Sequence, residues 1–443
     1  VSAREAALKI LVDVDKGNEF SDSILRKQFN PKRLSLLDQN LTRELVAGVL
    51  RRRTKLDWVL NGSLKKGLHS LNPMEQNILR LGLYQIAFLD KIPIFAAVNE
   101  SVKLVKRFGR KEIIGLTNAV LRDIIRNGKH LKKPDTGDKT LDASIEYSHP
   151  EWLVKRWQRE IGWENTIRLM EFNNAPAPVI IRVNSLKTTT QALFERLTAG
   201  GFQPEMHDSV PSAMKIQKPS GLVDNELFVR GHFYFQDVSA QAVGMLYRAG
   251  LGSSILDLCA APGGKAGAAI ELSGGKAQIF AADINHKKLG RVKGNFTRLG
   301  LNSWHLINAD AATIKFKEKF DLVLADVPCT GLGVIRRRLD LRWRVKESDI
   351  GRMAGLQTRI LDNAADLVKP GGALVYSTCT VTPEENRDQI TGFLARHTGF
   401  SLDPAEKYIP ASLVKDGCME TWPHINGMDG AFAARLVNNT KNI

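Results

Sequence analysis

Apolar residues in the first 128 positions recur at helical spacing. In Ala3–Lys16 they fall at Ala7, Ile10, Leu11 and Val14, one face of a 3.6-residue period. Asp38–Arg53 repeats the pattern and ends in three arginines. Asn72-Pro73-Met74-Glu75 reads as a helix start. The amide can cap, proline suits the first turn, and glutamate follows the cap by three. That helix is predicted to run to Leu89. Ala97–Phe108 stops before Gly109 and Ile114–Asn127 before Gly128. Residues 1–128 are therefore predicted to form an all-α bundle. The polar stretch 129–142, with its proline, glycine and basic cluster, reads as a linker.

Residues 143–240 mix the two periods. Helices are predicted at Glu151–Trp157, Glu164–Phe172 and Thr189–Thr198, and strands at Val179–Asn184, Met214–Gln217 and Phe228–Phe235, giving a small α+β module. From Ser253 onward strands and helices alternate. The strands are Ser254–Cys259, Gln278–Ala282, Trp304–Ile307, Asp321–Ala325 and Gly372–Ser377. The helices are Lys265–Leu272, Lys287–Leu299 and Ile350–Val368, with Ala431–Val437 as a late strand. Such alternation predicts an α/β domain over 241–443 with a doubly wound, mostly parallel sheet.

Charge sharpens this picture. The chain of 443 residues carries a formal net charge of +16, which points to a polyanionic partner, most simply nucleic acid. A basic protein without such a partner is the plainer alternative. Four cysteines, none in a metal-binding spacing, argue for a reducing compartment and no metal site. With no signal-peptide core and no apolar run of membrane-spanning length, a cytoplasmic protein away from membranes is expected. The start at Val1, without methionine, reads as processed or trimmed.

The strand ends carry the candidate chemistry. In a sheet of this kind they converge on one crevice. Cys259-Ala260-Ala261-Pro262-Gly263-Gly264-Lys265 leaves the first strand and opens a helix, where free N–H groups suit an anionic ligand. Asp283 lies 20 residues after Gly263, the place for an acid that binds ribose hydroxyls. Asp310 and Asp326 end the next two strands, and Asp310 could accept from an adenine amino group. The G-x-G-x-x-G fingerprint is absent, so an adenosyl cofactor bearing a carboxylate fits better than a dinucleotide. Cys329 and Cys379 end neighbouring strands and bring two thiols to the same crevice. Cys259 reads as packing beside the cofactor, and Cys418 as incidental in a polar loop.

LDLCAAPGGK (256–265), AADI (281–284), NAD (308–310), DVPCTGLGVIRR (326–337) and YSTCTVTPEEN (376–386) together resemble the RNA cytosine-C5 methyltransferases that use S-adenosylmethionine. ELVAGVLRRR (44–53), ILRLGLYQIAFLDKIP (78–93), AAVNESVKL (96–104) and NAVLR (118–122) resemble a NusB-like RNA-binding domain. The combination is similar to the bacterial 16S ribosomal RNA cytosine-C5 methyltransferase B family over nearly the whole chain. The resemblance implies a NusB-like helical bundle, a small α+β RNA-binding subdomain and a Rossmann-like class I methyltransferase domain. It also implies Cys379 as nucleophile, Cys329 as the thiol assisting product release, and cofactor contacts at Cys259–Lys265, Asp283, Asp310 and Asp326.

The chemistry needs such parts. Pyrimidine C5 attacks a methyl group only after a thiolate has added at C6. An acid or hydrogen-bond partner must serve ring N3, and a base must remove the C5 proton. Asp326, Cys329 and Cys379 would supply these. A DNA methyltransferase would place its nucleophile at Cys329, a transfer RNA methyltransferase would share the site, and a non-catalytic RNA-binding factor would need neither thiol. Small-subunit rRNA is the expected partner, in single-stranded or loop form outside the assembled subunit, and the protein is expected to be a monomer. Basic clusters at Arg51–Arg53, Lys103–Lys111 and Arg336–Arg344 are candidate phosphate contacts. Arg336, Arg337 and Arg182 are the residues expected to face RNA. The chain departs from the family pattern at Ala266, Val238, Arg338-Leu339-Asp340 and Ala431.

Overall fold

A computed structural model describes residues 2–17, 20–28 and 34–440. Val1 lies outside the described residues, as do the last three residues of the domain expected at 241–443. The chain forms two compact units. One comprises Val1–Ala175 together with Ile335–Val345, the other Pro176–Val334 and Lys346–Ile443.

The first unit is helical. Ala3–Asp15 is capped by Ser2, Leu36–Arg51 by Ser35, and Pro73–Phe88 by Asn72 in a full capping box with Glu75. The apolar stripes of these helices and of Ile94–Phe108 and Glu112–Arg126 close one core around Leu8, Leu11, Leu45, Ile78, Leu81 and Val105. The helix expected over Asp38–Arg53 ends at Arg51. Arg52 leaves helical geometry, and a separate helix runs over Arg53–Asn61. The stretch read as a linker is ordered. Lys129 ties it to Asp123 at 2.7 Å, and Asp138 caps a helix at Lys139–Tyr147. Glu151–Asn174 forms one long run broken at Gly162, whose φ of 77° replaces the expected gap between two helices. These last helices pack with the helical unit, so the division between the units falls at Ala175.

The second unit holds two sheets. The strands β1 (Val179–Val183), β2 (Pro204–Met206), β3 (Ala213–Ile216) and β4 (Phe233–Phe235) form an antiparallel sheet in the order β2-β3-β1-β4. The helix Thr190–Ala199 contributes Leu193 and Leu197 to the core of this module, with Ile181, Met214 and Phe233. The strand expected over Phe228–Phe235 is only partly a strand. Asn225 caps a helical turn at Glu226–Val229, and the chain reverses at Gly231 before β4.

The large sheet continues with β5 (Ser254–Asp257), β6 (Gln278–Asp283), β7 (Trp304–Asn308), β8 (Phe320–Asp326) and β9 (Val368–Thr378), all mutually parallel. Antiparallel strands β10 (Phe400–Asp403), β11 (Val414–Lys415), β12 (Cys418–Thr421) and β13 (Ala431–Asn438) extend it past β9. The sheet is therefore mixed, in the order β11-β12-β13-β9-β8-β5-β6-β7, with β10 on β13. Side chains alternate between two cores, as the pleat requires. Ile255, Leu322, Leu324 and Val375 enter one; Leu256, Val323, Leu374 and Tyr376 enter the other. Cys418 is not in a polar loop: it opens β12 and is 2% exposed. Among the described residues no helix is long and apolar enough to cross a membrane, and no cluster of His, Cys, Asp and Glu is set to hold a metal.

Candidate active site

The carboxyl ends of β5, β6, β8 and β9 bring the candidate residues to one edge of the sheet. Asp326 is the last residue of β8, and Cys379 follows β9 directly. The registers Asp326↔Ser377 and Asp257↔Leu324 fix their relative heights. The Cys329 and Cys379 sulfurs lie 3.4 Å apart, in contact but unbridged. Asp326 Oδ1 accepts from Ser377 Oγ at 2.8 Å and forms an ion pair with Lys265 Nζ at 2.6 Å.

The electrostatics follow from this packing. Burial alone would lower the pKa of the Lys265 ammonium, but attraction to Asp326 and to Cys379 outweighs it and the net shift is upward. Lys265 was expected only among the cofactor contacts; its charge also reaches the thiol expected to be the nucleophile. Cys329 is pushed well above the ordinary thiol range by its hydrogen bond to Cys379, then by burial, then by the Cys379 and Glu385 charges. Cys259 is likewise raised, by burial and by Asp257, Asp326, Asp283 and Asp310. It is therefore a protonated packing thiol ringed by carboxylates. Asp257, 1% exposed, is pushed up to about 7 by burial and by Asp326.

Glu385 is the site residue the sequence did not single out. It is fully buried and accepts from Thr330 N at 2.9 Å, Thr382 Oγ1 at 2.8 Å, Gln357 Nε2 at 3.0 Å and the Thr330 hydroxyl. Thr330 follows Cys329, and Thr382 lies three residues after Cys379. One carboxylate thus ties both thiol loops together. Gly333 N donates to Cys379 O at 3.1 Å and adds a second tie. A sequence signal existed: an acid set among threonines and a proline next to a buried strand end.

The glycine turn fits an adenosyl cofactor with a carboxylate. Gly263, at φ 100°, precedes the helix Gly264–Leu272, whose first turn has no side-chain cap, so its N–H groups are open to an anion. Asp283 accepts one backbone N–H on each oxygen, from Ala261 at 3.3 Å and Asn285 at 2.8 Å. Each oxygen keeps a lone pair for a ribose hydroxyl. Asp310, exposed beyond β7, accepts from Ala312 N at 2.9 Å.

The residues expected to meet RNA fare differently. Arg182 is 4% exposed, and its Nε lies 3.2 Å from Glu271 Oε2. It fastens β1 to the helix Gly264–Leu272 and does not face solvent, so its expected RNA contact is corrected. Asn184 has the same structural task, donating to Gly231 O and Leu299 O. Arg336 stacks on Phe172 at 4.3 Å and donates to Ala175 O, within the helical unit. Arg337 is half-buried in that unit. In the cluster Lys103–Lys111, Lys103, Arg107 and Arg110 pair with Glu100, Glu5 and Glu75. Leu339 fills the helical core, and Asp340 accepts from Ser21 N and Oγ. Ala266 and Val238 are buried in the core of the catalytic unit, and Ala431 in β13.

Comparison with known proteins agrees with this architecture. Residues 248–437 match the family described as "16S rRNA methyltransferase RsmB/F", residues 1–126 the NusB family, and residues 149–222 the ferredoxin-like domain of RsmF/B-like methyltransferases. The chain is 35% identical to the "Probable ribosomal RNA small subunit methyltransferase B" of Bacillus subtilis, covering 98% of both chains. It is 33% identical to the "Ribosomal RNA small subunit methyltransferase B" of Salmonella typhi, covering 93% of this chain and 96% of that one. The solved structure of PH0851 superposes with a TM-score of 0.82 at 26% identity, covering 98% of this chain and 99% of that one. With both thiol loops, the glycine turn and the acidic series in place on this fold, the chain belongs to the ribosomal RNA small subunit methyltransferase B family.

Proposed function

We propose that the protein transfers a methyl group from S-adenosylmethionine to C5 of a cytosine in small-subunit ribosomal RNA, through a covalent bond between Cys379 Sγ and C6 of the base. The observation carrying this reading is the 3.4 Å approach of the two sulfurs beside the Asp326–Lys265 pair. Kinship with proteins named as small-subunit rRNA methyltransferases supports the substrate. When bound, S-adenosylmethionine supplies an electrophilic methyl group on a sulfonium. The helix start at Gly264 would hold its carboxylate, Asp283 its ribose, and Asp310 its base.

The chain's own groups manage the protons. Asp326 takes the proton of Cys379 and returns it at ring N3 as the C6–S bond forms, leaving C5 electron-rich. Lys265 steadies the thiolate and the carboxylate in turn. Once Cys379 is a neutral thioether, its hydrogen bond and charge no longer hold the Cys329 proton, and two of the causes that raise the Cys329 pKa vanish. Cys329 then ionises to solvent, removes the C5 proton after methyl transfer, and is restored as a thiol. Cys379 leaves as a thiolate and regains the N3 proton through Asp326. The target base must leave any stack to reach Cys379, which favours single-stranded or loop RNA outside the assembled subunit. We take the active form to be a cytoplasmic monomer.

The test is a pair of variants incubated with labelled S-adenosylmethionine and protein-free small-subunit rRNA. Cys379→Ala is expected to give no 5-methylcytidine and no adduct. Cys329→Ala is expected to accumulate a protein–RNA adduct that survives denaturing gels. Adduct trapped by Cys379→Ala instead would reverse the two roles, and label in another nucleoside would end the reading.

A further inference from the structure

Two basic clusters far apart in sequence meet in the helical unit. The segment Ile335–Val345 leaves the catalytic unit six residues after Cys329 and joins the helical core. There Trp343 Nε1 donates to Leu50 O at 3.0 Å, which sets the short helix Leu341–Arg344 against the end of Leu36–Arg51. Arg342 therefore comes beside Arg51 and Arg52.

This cluster lacks the partners its charge calls for. Arg342 is 1% exposed and donates to Ser148 O, Asn174 Oδ1 and Asn173 O, all neutral, while its Nε has no acceptor. The Nε of Arg51 is also buried without an acceptor. Arg52 lies over the Phe88 ring at 5.3 Å, and among the described residues neither Arg51 nor Arg52 has an ion pair. The nearest acids are engaged elsewhere, Glu44 by the Tyr84 hydroxyl at 2.6 Å and Glu146 by Lys55. Burial lowers the pKa of all three guanidiniums, and Arg51 and Arg52 together push Arg342 further down, to about 9. Arg53, next in sequence, contrasts with them: its guanidinium lies 3.1 Å from Asp15.

A partly desolvated cationic group without a counter-ion is costly unless an anion completes it. Guanidinium groups suit phosphate oxygens, because their paired N–H groups match that geometry, and RNA presents phosphates rather than carboxylates. We propose that Arg51, Arg52 and Arg342 form a phosphate-binding site for the RNA substrate in the helical unit. The half-exposed Arg51 and Arg52 contact the backbone, and Arg342 holds positive potential behind them. The proposal rests on RNA being the substrate. It assigns the phosphate contact to Arg51 and Arg52, with Arg342 behind them, and not to Arg53, which Asp15 already pairs.

The experiment uses the full chain with Arg51 and Arg52 both replaced by Gln, and Arg53→Gln as a contrast. Affinity for protein-free small-subunit rRNA is measured against salt concentration, separately from methyl transfer. Losing two phosphate contacts on a single strand should flatten the slope of log K against log salt by about 1.4. The KM for rRNA should rise about tenfold or more. Thermal stability should hold or increase, because like charges have been removed. Arg53→Gln should keep the wild-type slope and lose stability. A double variant with the wild-type slope and KM would overturn the proposal. So would a double variant whose only defect is lower stability. Failure of the catalytic reading would appear instead in the wild type, as binding without transfer to cytosine. Weaker rRNA binding in inorganic phosphate than in chloride at the same ionic strength, seen in the wild type and lost in the double variant, would support phosphate as the recognised group.

Discussion

Glu385 shows how one buried carboxylate can serve a reaction it does not touch. Its four donors are all neutral, and two of them belong to the residue after Cys329. Glu385→Gln removes the charge that draws all four donors, and its amide NH2, set at the Oε1 position, forces the Thr330 and Thr382 hydroxyls to turn from donating to accepting. The expected loss is about 1–3 kcal/mol of stability, with slower release of the RNA adduct as the thiol loops move apart. Denaturant titration and the adduct gel read the two effects. Unfolding at lower denaturant with a wild-type release rate would leave Glu385 a structural clamp only. Asp257 makes a different prediction. Its native pKa of about 7 stands above the ~3.9 of an unfolded chain. The native state therefore binds the extra proton between those values, and stability falls as pH rises through that window and stays low above it. At 1.36 kcal/mol per unit the deficit is on the order of 4 kcal/mol. Asp257→Asn should be more stable than wild type above pH 7 and lose that advantage towards pH 4, by unfolding at fixed pH.

At the scale of elements, the loops after β8 and β9 touch through backbone as well as thiols. A methyl group on Gly333 would fall 2.4 Å from Gly430 O and 2.8 Å from Cys379 O. Gly333→Ala should therefore displace the Cys379 loop and reduce turnover at least tenfold. A single-turnover assay with rRNA checks this, and near-normal turnover would mean the loop absorbs the shift. The bundle helices were legible because their apolar residues keep one helical period, and the parallel strands because, buried on both faces, they are short continuous apolar runs between glycine turns and helices. The strands β10, β11 and β12 were not, being two to four residues long and stabilised by non-local pairing, β10 and β12 on β13 and β11 on β12. Arg53–Asn61 was hidden because nothing in the arginine run marks the break at Arg52. The site was legible in its strand-end cysteines and acids. It was not legible in Glu385 or in the partners of Arg182, since neither contact is local: Arg182 and Glu271 stand 89 residues apart. An exposed arginine and a buried one look alike in sequence.

At the scale of the whole molecule, the cofactor contacts and the arginine site draw on different cores. The helical unit encloses its own hydrophobic cluster, to which Leu339 contributes from beyond residue 175. The catalytic unit has its own, on both faces of the large sheet. Cores of this kind support separate cooperative transitions. A ligand that binds one native unit stabilises that unit by mass action, about 2.7 kcal/mol at a hundredfold excess over Kd. Calorimetry should therefore resolve two transitions, with S-adenosylmethionine raising the catalytic one by roughly 5–10 °C and leaving the helical one nearly in place. Ile335–Val345 qualifies this expectation in one direction. The catalytic unit holds both ends of that segment, so its unfolding can withdraw Leu339 and Trp343 from the helical core. The helical transition should thus never precede a cofactor-stabilised catalytic one by losing that segment first. A single transition that shifts as a whole with S-adenosylmethionine would mean the segment couples the units into one cooperative body.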